Sequence, residues 1–145
     1  MNYYDLEAIE DSKLKFAVIA AKYDGGWIFV RHKERETFEI PGGHREDGES
    51  IENTASRELY EETGAKDFKL YPICIYSVDR GGVESFGQLF YADIYNLGDL
   101  PYSEIGEVKI FYNIPENLTY PLMQPSLSEK TIDFLSSNIE LLKSE

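Results

Sequence analysis

The stretch Arg57–Gly64 reads RELYEETG and places three glutamates, Glu58, Glu61 and Glu62, at positions i, i+3 and i+4. If the stretch is helical, its repeat of about 3.6 residues brings the three carboxylates within roughly 100° of one face. Like charges at this spacing repel each other by about 0.2–0.5 kcal/mol per pair. Spreading them around the helix would be more stable, so their grouping indicates a role other than stability.

Cap signals predict where this helix begins and ends. Ser50 is a predicted N-cap, and Glu52 lies in the first turn, where the helix dipole favours a negative charge. Gly64 is a predicted C′ residue because glycine readily adopts the left-handed conformation that ends a helix. We therefore expect a helix over residues 51–63.

The glutamates border the apolar stripe of this helix. Ala55 and Leu59 lie at about 40° and 80° from the first helical residue, whereas Glu62, Glu58 and Glu61 lie at about 20°, 340° and 280°. An ordinary solvated face, which is the alternative interpretation, would lie on the far side. A hard divalent cation such as Mg²⁺ prefers carboxylates, waters and phosphate oxygens, and its binding would relieve the repulsion.

Composition limits the classes of partner. The chain has 145 residues and a formal net charge of −13, which argues against a nucleic-acid polymer or an anionic membrane as the main partner. The start is acidic and polar, and no apolar run approaches the ~20 residues of a membrane span, so we expect a cytoplasmic protein with one domain over residues 1–145. Cys74 is the single cysteine and is expected to be a small buried hydrophobe.

The remaining pattern predicts a mixed α/β sandwich. Asp24-Gly25-Gly26 indicates a hairpin turn, and Pro41-Gly42-Gly43 is expected to break the chain and start a loop that runs to about Gly48. An amphipathic C-terminal helix is predicted within residues 126–144, with an apolar face of Leu127, Ile132, Leu135, Ile139 and Leu142. The predicted strands or extended segments are 15–21, 27–31, 37–40, 69–78, 88–94 and 107–112.

Residues 43–65 read GHREDGESIENTASRELYEETGA. This segment resembles the signature of the Nudix hydrolases, and all seven fixed glycine or polar positions of that signature are filled. The resemblance extends to about residues 14–118, through WIFVRHKERETFEIPGG upstream and EIGEVKIFYNIPENL downstream. Phe38 and Ile110 stand where many members carry tryptophan.

The resemblance implies an α/β/α sandwich with a mixed sheet that hydrolyses a nucleoside diphosphate linked to another group, with Mg²⁺, or alternatively Mn²⁺, as cofactor. The implied metal ligands are the carboxylates of Glu58, Glu61, Glu62 and Glu104 and the carbonyl of Gly42. Metal ions suit this chemistry because they neutralise a polyphosphate that otherwise repels a nucleophile.

The resemblance leaves the general base open. Some members use a glutamate on the helix, here Glu61, and others use one on a distant loop, for which Glu104 is the first candidate and Glu107 the second. Glu49 and Arg57 are implied to orient the helix carboxylates, and Arg57 is also placed at i, i+4 from Glu61. A proton acceptor within hydrogen-bond reach of the attacking water is what either arrangement requires.

Other candidate residues have two interpretations. His32 and His44 lack partners at zinc spacing, which argues against a zinc site. His44 is either an exposed polar residue or a phosphate contact, and Arg31 either forms a strand-edge salt bridge or meets a phosphate. No Walker-type phosphate loop and no Gly-x-Ser-x-Gly elbow occurs in the sequence.

The expected partner is a small nucleotide, and the protein is expected to be a monomer or a homodimer. Segments 38–44, 89–94 and 114–118 most resemble bacterial members that hydrolyse nucleoside triphosphates, including 8-oxo-dGTP, to a monophosphate and pyrophosphate. Candidate base contacts are Phe86, Tyr91 and Asn117.

Other functions of the family remain alternatives. One is hydrolysis of another nucleotide conjugate, such as a nucleoside diphosphate sugar or a dinucleoside polyphosphate. Members that act on ADP-ribose carry a proline beyond the motif, and residues 78–82, the corresponding region here, contain none. A non-catalytic Nudix-fold regulator is a further alternative, although that class usually loses the motif glutamates.

Overall fold

The computed structural model describes residues 1–143 and contains seven strands and three helices. Ser144, which closes the predicted C-terminal helical segment, lies outside these residues. In chain order the elements are β1 (Asn2–Tyr4), β2 (Leu14–Tyr23), β3 (Gly26–His32), β4 (Gly42–His44), α1 (Ile51–Thr63), β5 (Ala65–Arg80), β6 (Val83–Leu97), β7 (Ile105–Phe111), α2 (Gln124–Ser137) and α3 (Ile139–Lys143).

The strands form one mixed sheet in the order β1-β5-β6-β2-β3-β7, with β4 attached to β2. The β2–β6 pair is parallel and the other pairs are antiparallel. Along one edge of β2, residues 16–18 pair with β4 and residues 21–23 pair with β3. The strand that pairs with this edge of β2 therefore changes from β4 to β3 along its length. The candidate site lies where β4 gives way to β3.

The two faces of the sheet carry separate cores. Helix α1 packs Ala55 and Leu59 into one core, and α2 packs Leu127 into the other. Alternation along β3 sends Ile28 to the first core and Phe29 to the second, as expected for a strand covered on both faces. These layers confirm the predicted α/β/α sandwich with a mixed sheet.

The limits of α1 agree with the sequence prediction because its cap signals are local. Ser50 Oγ accepts a hydrogen bond from the N–H of Asn53 at 3.1 Å. Gly64 ends the helix with φ of 80°, and its N–H donates to the carbonyl of Tyr60 at 2.8 Å. A Cβ at this position would also overlap the carbonyl of Asp99.

The strand predictions were right in place and wrong in extent. The β5–β6 hairpin is much longer than predicted. The sequence prediction missed most of the added residues because they are exposed or partly exposed and lack the apolar pattern of a buried strand. Its turn is fixed by Asp79, which accepts from the N–H of Gly82 at 2.9 Å. Strand β7 begins and ends earlier than predicted, and β1 was not predicted at all.

The segment after residue 40 differs from prediction. Residues 37–40 form two isolated bridges, Val30–Glu39 and Phe38–Leu118, which fit the predicted short extended segment. The predicted break at Pro41-Gly42-Gly43 was wrong as a loop assignment, because residues 42–44 form β4. Glycine has little intrinsic preference for strands, so pairing with β2 determines the conformation here.

The C-terminal helix begins at Gln124 and is interrupted at Asn138. Its buried residues are Gln124, Leu127 and Thr131. The predicted apolar face was therefore partly wrong, since Ile132 and Ile139 are each 48% exposed. Among residues 1–143, no helix is both long and apolar enough to cross a membrane.

Cys74 packs against the second core but is only partly buried, whereas the prediction was a buried residue; burial raises the pKa of its thiol to about 11.

Candidate active site

Two glycines of β4 allow the carboxylates of α1 to approach the sheet. The carboxylate of Glu58 lies so close to Gly43 that a Cβ there would collide with its carbon and both oxygens. Glu62 Oε1 accepts a hydrogen bond from the N–H of Gly42 at 2.9 Å. Gly43 is therefore needed because Glu58 of α1 lies directly on its backbone, whereas Gly42 is needed because a Cβ there would collide with Ala17 and Val18 of β2.

The backbone of Gly42 points toward the same side as Glu62. The N–H of Ile19 donates to the carbonyl of Pro41 at 2.9 Å, and in an antiparallel ladder the next residue turns both its backbone groups away from the partner strand. The carbonyl of Gly42 thus faces away from β2, as its N–H does in binding Glu62.

Arg57 joins four groups of the motif. Its guanidinium donates to Glu49 at 2.6 and 3.0 Å, to Glu58 at 2.7 Å, to Glu61 at 3.2 Å and to the carbonyl of His44 at 3.0 Å. The hydrogen bond from Arg57 is the main reason why the pKa of Glu49 falls to about 2. One guanidinium therefore already relieves part of the repulsion between Glu58 and Glu61.

Glu62 is the most buried carboxylate of the motif, with 9% of its surface exposed. Its pKa is raised to about 8, mainly by burial; the Gly42 hydrogen bond opposes this rise, and the nearby carboxylates of Glu58, Glu39 and Glu104 contribute to it. Burial likewise raises the pKa of Glu58. This part of the site holds more negative charge than its protein neighbours compensate.

His32 lies among three of these acids. Its Nε2 is 3.7 Å from Glu39 and 3.9 Å from Glu62, and its Nδ1 is 3.8 Å from Glu104. Glu104, the predicted distant base, is thus brought to the site, although its side chain is 90% exposed. The second candidate base, Glu107, instead lies 3.3 Å from the guanidinium of Arg31, which favours the salt-bridge interpretation of that arginine.

Sequence reasoning missed Glu39. It lies between the buried residues Phe38 and Ile40, its side chain is only 14% exposed, and it accepts a hydrogen bond from Arg35 at 2.8 Å. The alternation of apolar, acidic and apolar residues at 38–40 was the available signal, because it places Glu39 on the opposite side from its neighbours.

These residues line a cleft of about 470 Å³, called here the site cleft. Its lining includes an acidic group, called here the acidic end, of Glu39, Gly42, Glu58, Glu62 and Glu104. It also includes an aromatic and apolar group around residues of the second core, called here the aromatic end, of Phe16, Tyr76, Met123, Gln124 and Leu127. Arg35, Arg80, His32 and His44 also line it.

The predicted base contacts lie outside this lining. Phe86 packs edge-on against Tyr4 with ring centroids 5.7 Å apart, and Tyr91 stacks on Tyr71 at 5.8 Å. The side-chain amide of Asn117 donates to the carbonyl of Glu36 at 3.0 Å. Strand packing therefore accounts for both aromatic residues.

Among residues 1–143, no three carboxylate, histidine or cysteine side chains converge closely enough to form a metal site by themselves. Glu58 and Glu62 together with the Gly42 carbonyl nevertheless supply hard oxygen donors, and the uncompensated charge around Glu62 fits a divalent cation that takes waters or phosphate oxygens as its other ligands. Glu61, held by Arg57, and the exposed Glu104 stand outside this inner group.

Residues 13–96 match the family model described as NUDIX domain. The chain belongs to the NUDIX family. It is 32% identical over 117 residues to the Bacillus subtilis protein named "Putative 8-oxo-dGTP diphosphatase YtkD", a match that covers 80% of this chain and 73% of that protein. It is 38% identical over 81 residues to the ADP-ribose pyrophosphatase of the same species, covering 53% of this chain and 44% of that one.

Among solved structures, the Nudix chain superposes on a mutant of the Bacillus subtilis pyrophosphohydrolase BsRppH with a TM-score of 0.81 and 25% identity, covering 94% of this chain and 90% of the other. The family and these relatives make the protein a Nudix hydrolase that acts on phosphorus-containing anhydrides.

Proposed function

We propose that the protein hydrolyses a nucleoside triphosphate, with 8-oxo-dGTP as the preferred substrate, to a nucleoside monophosphate and pyrophosphate, and that it uses Mg²⁺. The observation that carries this proposal is the division of the site cleft. Its acidic end holds the motif carboxylates and its other end is aromatic and apolar, which matches a ligand with a charged chain and a flat ring. The named relative YtkD supports the choice of 8-oxo-dGTP.

Mg²⁺, held by Glu58, Glu62 and the Gly42 carbonyl, would supply charge neutralisation for the phosphates and for the leaving group. The protein's own contribution is to position these oxygens. Arg57 fixes Glu58 through a 2.7 Å hydrogen bond, and the N–H of Gly42 fixes Glu62. Preorganised groups of this kind stabilise a charged transition state without reorganising during the reaction.

Two side chains remain candidates for accepting the proton of the attacking water. Glu61 is 44% exposed, but its carboxylate already accepts a hydrogen bond from Arg57 at 3.2 Å. Glu104 is 90% exposed, and its carboxylate lies 3.8 Å from Nδ1 of His32. We propose Glu104, because its carboxylate is the less committed of the two and also faces the cleft.

ADP-ribose is the second candidate substrate, favoured by the 38% identity to the ADP-ribose pyrophosphatase, although the match covers only 44% of that protein. The proline that members acting on ADP-ribose carry beyond the motif is absent from residues 78–82, which form the end of β5 and the Gly81-Gly82 turn. A non-catalytic binding role is less favoured because Glu58 and Glu62 are both retained and both line the cleft.

The test is a comparison of turnover on 8-oxo-dGTP, dGTP, ADP-ribose, a nucleoside diphosphate sugar and a dinucleoside polyphosphate with Mg²⁺, with separation of all phosphate products. We expect the highest kcat/KM for 8-oxo-dGTP, with monophosphate and pyrophosphate as products. The Glu58→Gln variant, purified in the same way, controls for contaminating phosphatases. Equal kcat/KM for 8-oxo-dGTP and dGTP would remove the preference, and a higher value for ADP-ribose would overturn the substrate assignment.

A further inference from the structure

Gln124 carries a buried polar group without a partner. The residue is 4% exposed, and its side-chain Oε1 accepts no hydrogen bond from any residue that the structure describes. Its backbone N–H donates to the carbonyl of Tyr120 at 3.0 Å, so the group without a partner is the side-chain amide oxygen. An unpaired buried amide oxygen destabilises the folded protein, so its presence requires a physical reason.

The location of Gln124 supplies that reason. It is the first residue of α2 and lines the aromatic end of the site cleft, next to the apolar side chains of Met123 and Leu127. A ligand in the cleft would meet there a largely apolar wall that contains the side-chain amide of Gln124. A hydrogen bond from such a ligand would remove the cost of the unpaired amide only in the complex, and would therefore contribute to affinity and selectivity.

The wall beside Gln124 is shaped for a flat ring. Phe16 and Tyr76 lie on the two strands that flank β6, with ring centroids 5.6 Å apart and planes inclined by 46°. Between them in the sheet register lies Gly87, and a Cβ at that position would overlap both rings. The glycine thus makes room for the two rings over the sheet. Tyr76 is buried, with 1% of its surface exposed, and supports the partly exposed ring of Phe16, whose face can stack on a nucleobase.

We propose that Gln124 is a specificity residue that recognises the nucleobase: its side-chain amide hydrogen-bonds to the polar edge of a base whose ring packs along Phe16. This proposal rests on the nucleotide substrate proposed above. An amide offers one acceptor and two donors side by side, and base edges present neighbouring donors and acceptors that match it.

The test measures equilibrium binding of nucleoside monophosphates, which does not depend on turnover. The probes are 8-oxo-dGMP, dGMP, dAMP, dCMP and dTMP, with 2′-deoxyribose 5-phosphate as the ligand that lacks a base. We expect the native protein to bind at least one nucleotide more tightly than the sugar phosphate. In Gln124→Met, which keeps the length and loses the polar group, that nucleotide should bind about ten-fold more weakly while the sugar phosphate is unaffected.

Thermal unfolding of the same variant separates recognition from structural support. Gln124→Met should unfold at the same or a higher temperature, because it removes an unpaired buried polar group. The matched control is Gln88→Met, which makes the same change at a glutamine in β6 that is 5% exposed and lies outside the cleft lining; its nucleotide affinity should not change.

Three results would overturn the proposal: equal binding of the sugar phosphate and every nucleotide by the native protein, unchanged nucleotide affinity in Gln124→Met, or an equal loss of both kinds of ligand in that variant. Failure of the proposed function would look different, as base-dependent binding without hydrolysis of the triphosphates.

Discussion

Arg57 and Glu49 are joined by two hydrogen bonds, from Nε to Oε2 at 2.6 Å and from Nη2 to Oε1 at 3.0 Å. The pair ties the middle of α1 to the loop that precedes it. Glu49 also accepts from the hydroxyl of Thr54 at 2.9 Å, so its carboxylate is held from both sides. Because the same guanidinium donates to Glu58 and Glu61, the orientation of those carboxylates depends on a residue outside the helix.

Weakening this pair should lower activity without emptying the site. In Glu49→Gln the amide oxygen can accept only one of the two hydrogen bonds from Arg57, and the negative charge is lost, so we expect kcat to fall about ten-fold, with a smaller effect on KM. Lysine should not be able to replace Arg57 in Arg57→Lys, because a single ammonium group lacks the forked donors that reach Glu49, Glu58 and Glu61. Steady-state kinetics check both variants. Glu52→Gln, on the exposed first turn of the same helix, serves as the control, and an equal loss there would remove the positioning role.

Removal of divalent metal should abolish activity and leave the fold intact. The two cores contain the packed apolar residues, and the proposed metal ligands lie outside them, so circular dichroism should not change in EDTA. Addition of Mg²⁺ or Mn²⁺ should restore turnover and raise the unfolding temperature, since a cation that binds only the folded state stabilises it. Full turnover in excess EDTA would contradict the metal-dependent proposal.

Glu58→Gln keeps the shape of the side chain and removes its charge. We expect the rate to fall by at least ~10²-fold, the low end for a positioned electrostatic group. Stability should hold or rise, because burial and the neighbouring Glu61 both disfavour the charged form of Glu58. Kinetics per folded molecule and urea unfolding together decide the point. A variant that unfolds readily but keeps native activity would assign Glu58 a structural role.

The stability of the metal-free protein should depend on pH through Glu62. Its folded pKa of about 8 exceeds the ordinary value of 4.5, so its contribution is fully present below pH 4.5, where both states hold the proton. As pH rises from 4.5 to 8, the unfolded chain releases the proton first, and the free energy of unfolding falls. The raised pKa of Glu58 acts in the same direction, whereas the lowered pKa of Glu49 acts below pH 4.5.

Urea unfolding in EDTA at about pH 5 and about pH 8 measures this effect. Each unit of pKa shift corresponds to about 1.4 kcal/mol, so the native protein should be clearly more stable at the lower pH. Glu62→Gln cannot titrate at this position and should show a smaller difference between the two pH values. An unchanged difference in Glu62→Gln would show that other groups dominate the pH dependence.

The features predicted most accurately from the sequence are those that local interactions determine. The ends of α1 follow from Ser50 and Gly64, each of which acts on backbone groups within a few residues. The conformation of β4 was predicted wrongly because Gly42 and Gly43 carry no strand preference and are placed by β2. The long β5–β6 hairpin exceeded its apolar pattern for a similar reason, since pairing between strands continues beyond the buried residues.

The candidate site divides in the same way. Arg57, Glu58 and Glu62 could be grouped from spacing alone, because they share one helix. Glu39 and Gln124 reach the cleft only through the arrangement of separate elements, and neither belongs to the motif. A buried glutamine at a helix start gives no signal in one sequence, since its missing hydrogen-bond partner is a property of the folded molecule.

The position of bond cleavage is the last prediction. If the substrate is a nucleoside triphosphate, attack at the phosphorus next to the nucleoside or at the one beyond it gives a monophosphate and pyrophosphate. The motif carboxylates and any bound cation lie at one end of the cleft, so the inner phosphates should be the ones held there, and the outer two should leave together with their charge neutralised.

Hydrolysis of 8-oxo-dGTP in ¹⁸O-water, followed by mass spectrometry of the products, locates the attacked atom. Label in the monophosphate identifies the inner phosphorus, and label in pyrophosphate identifies the next one. Label in orthophosphate would mean that the terminal phosphate is removed, which would overturn the bond assignment even if the enzyme is active on this nucleotide.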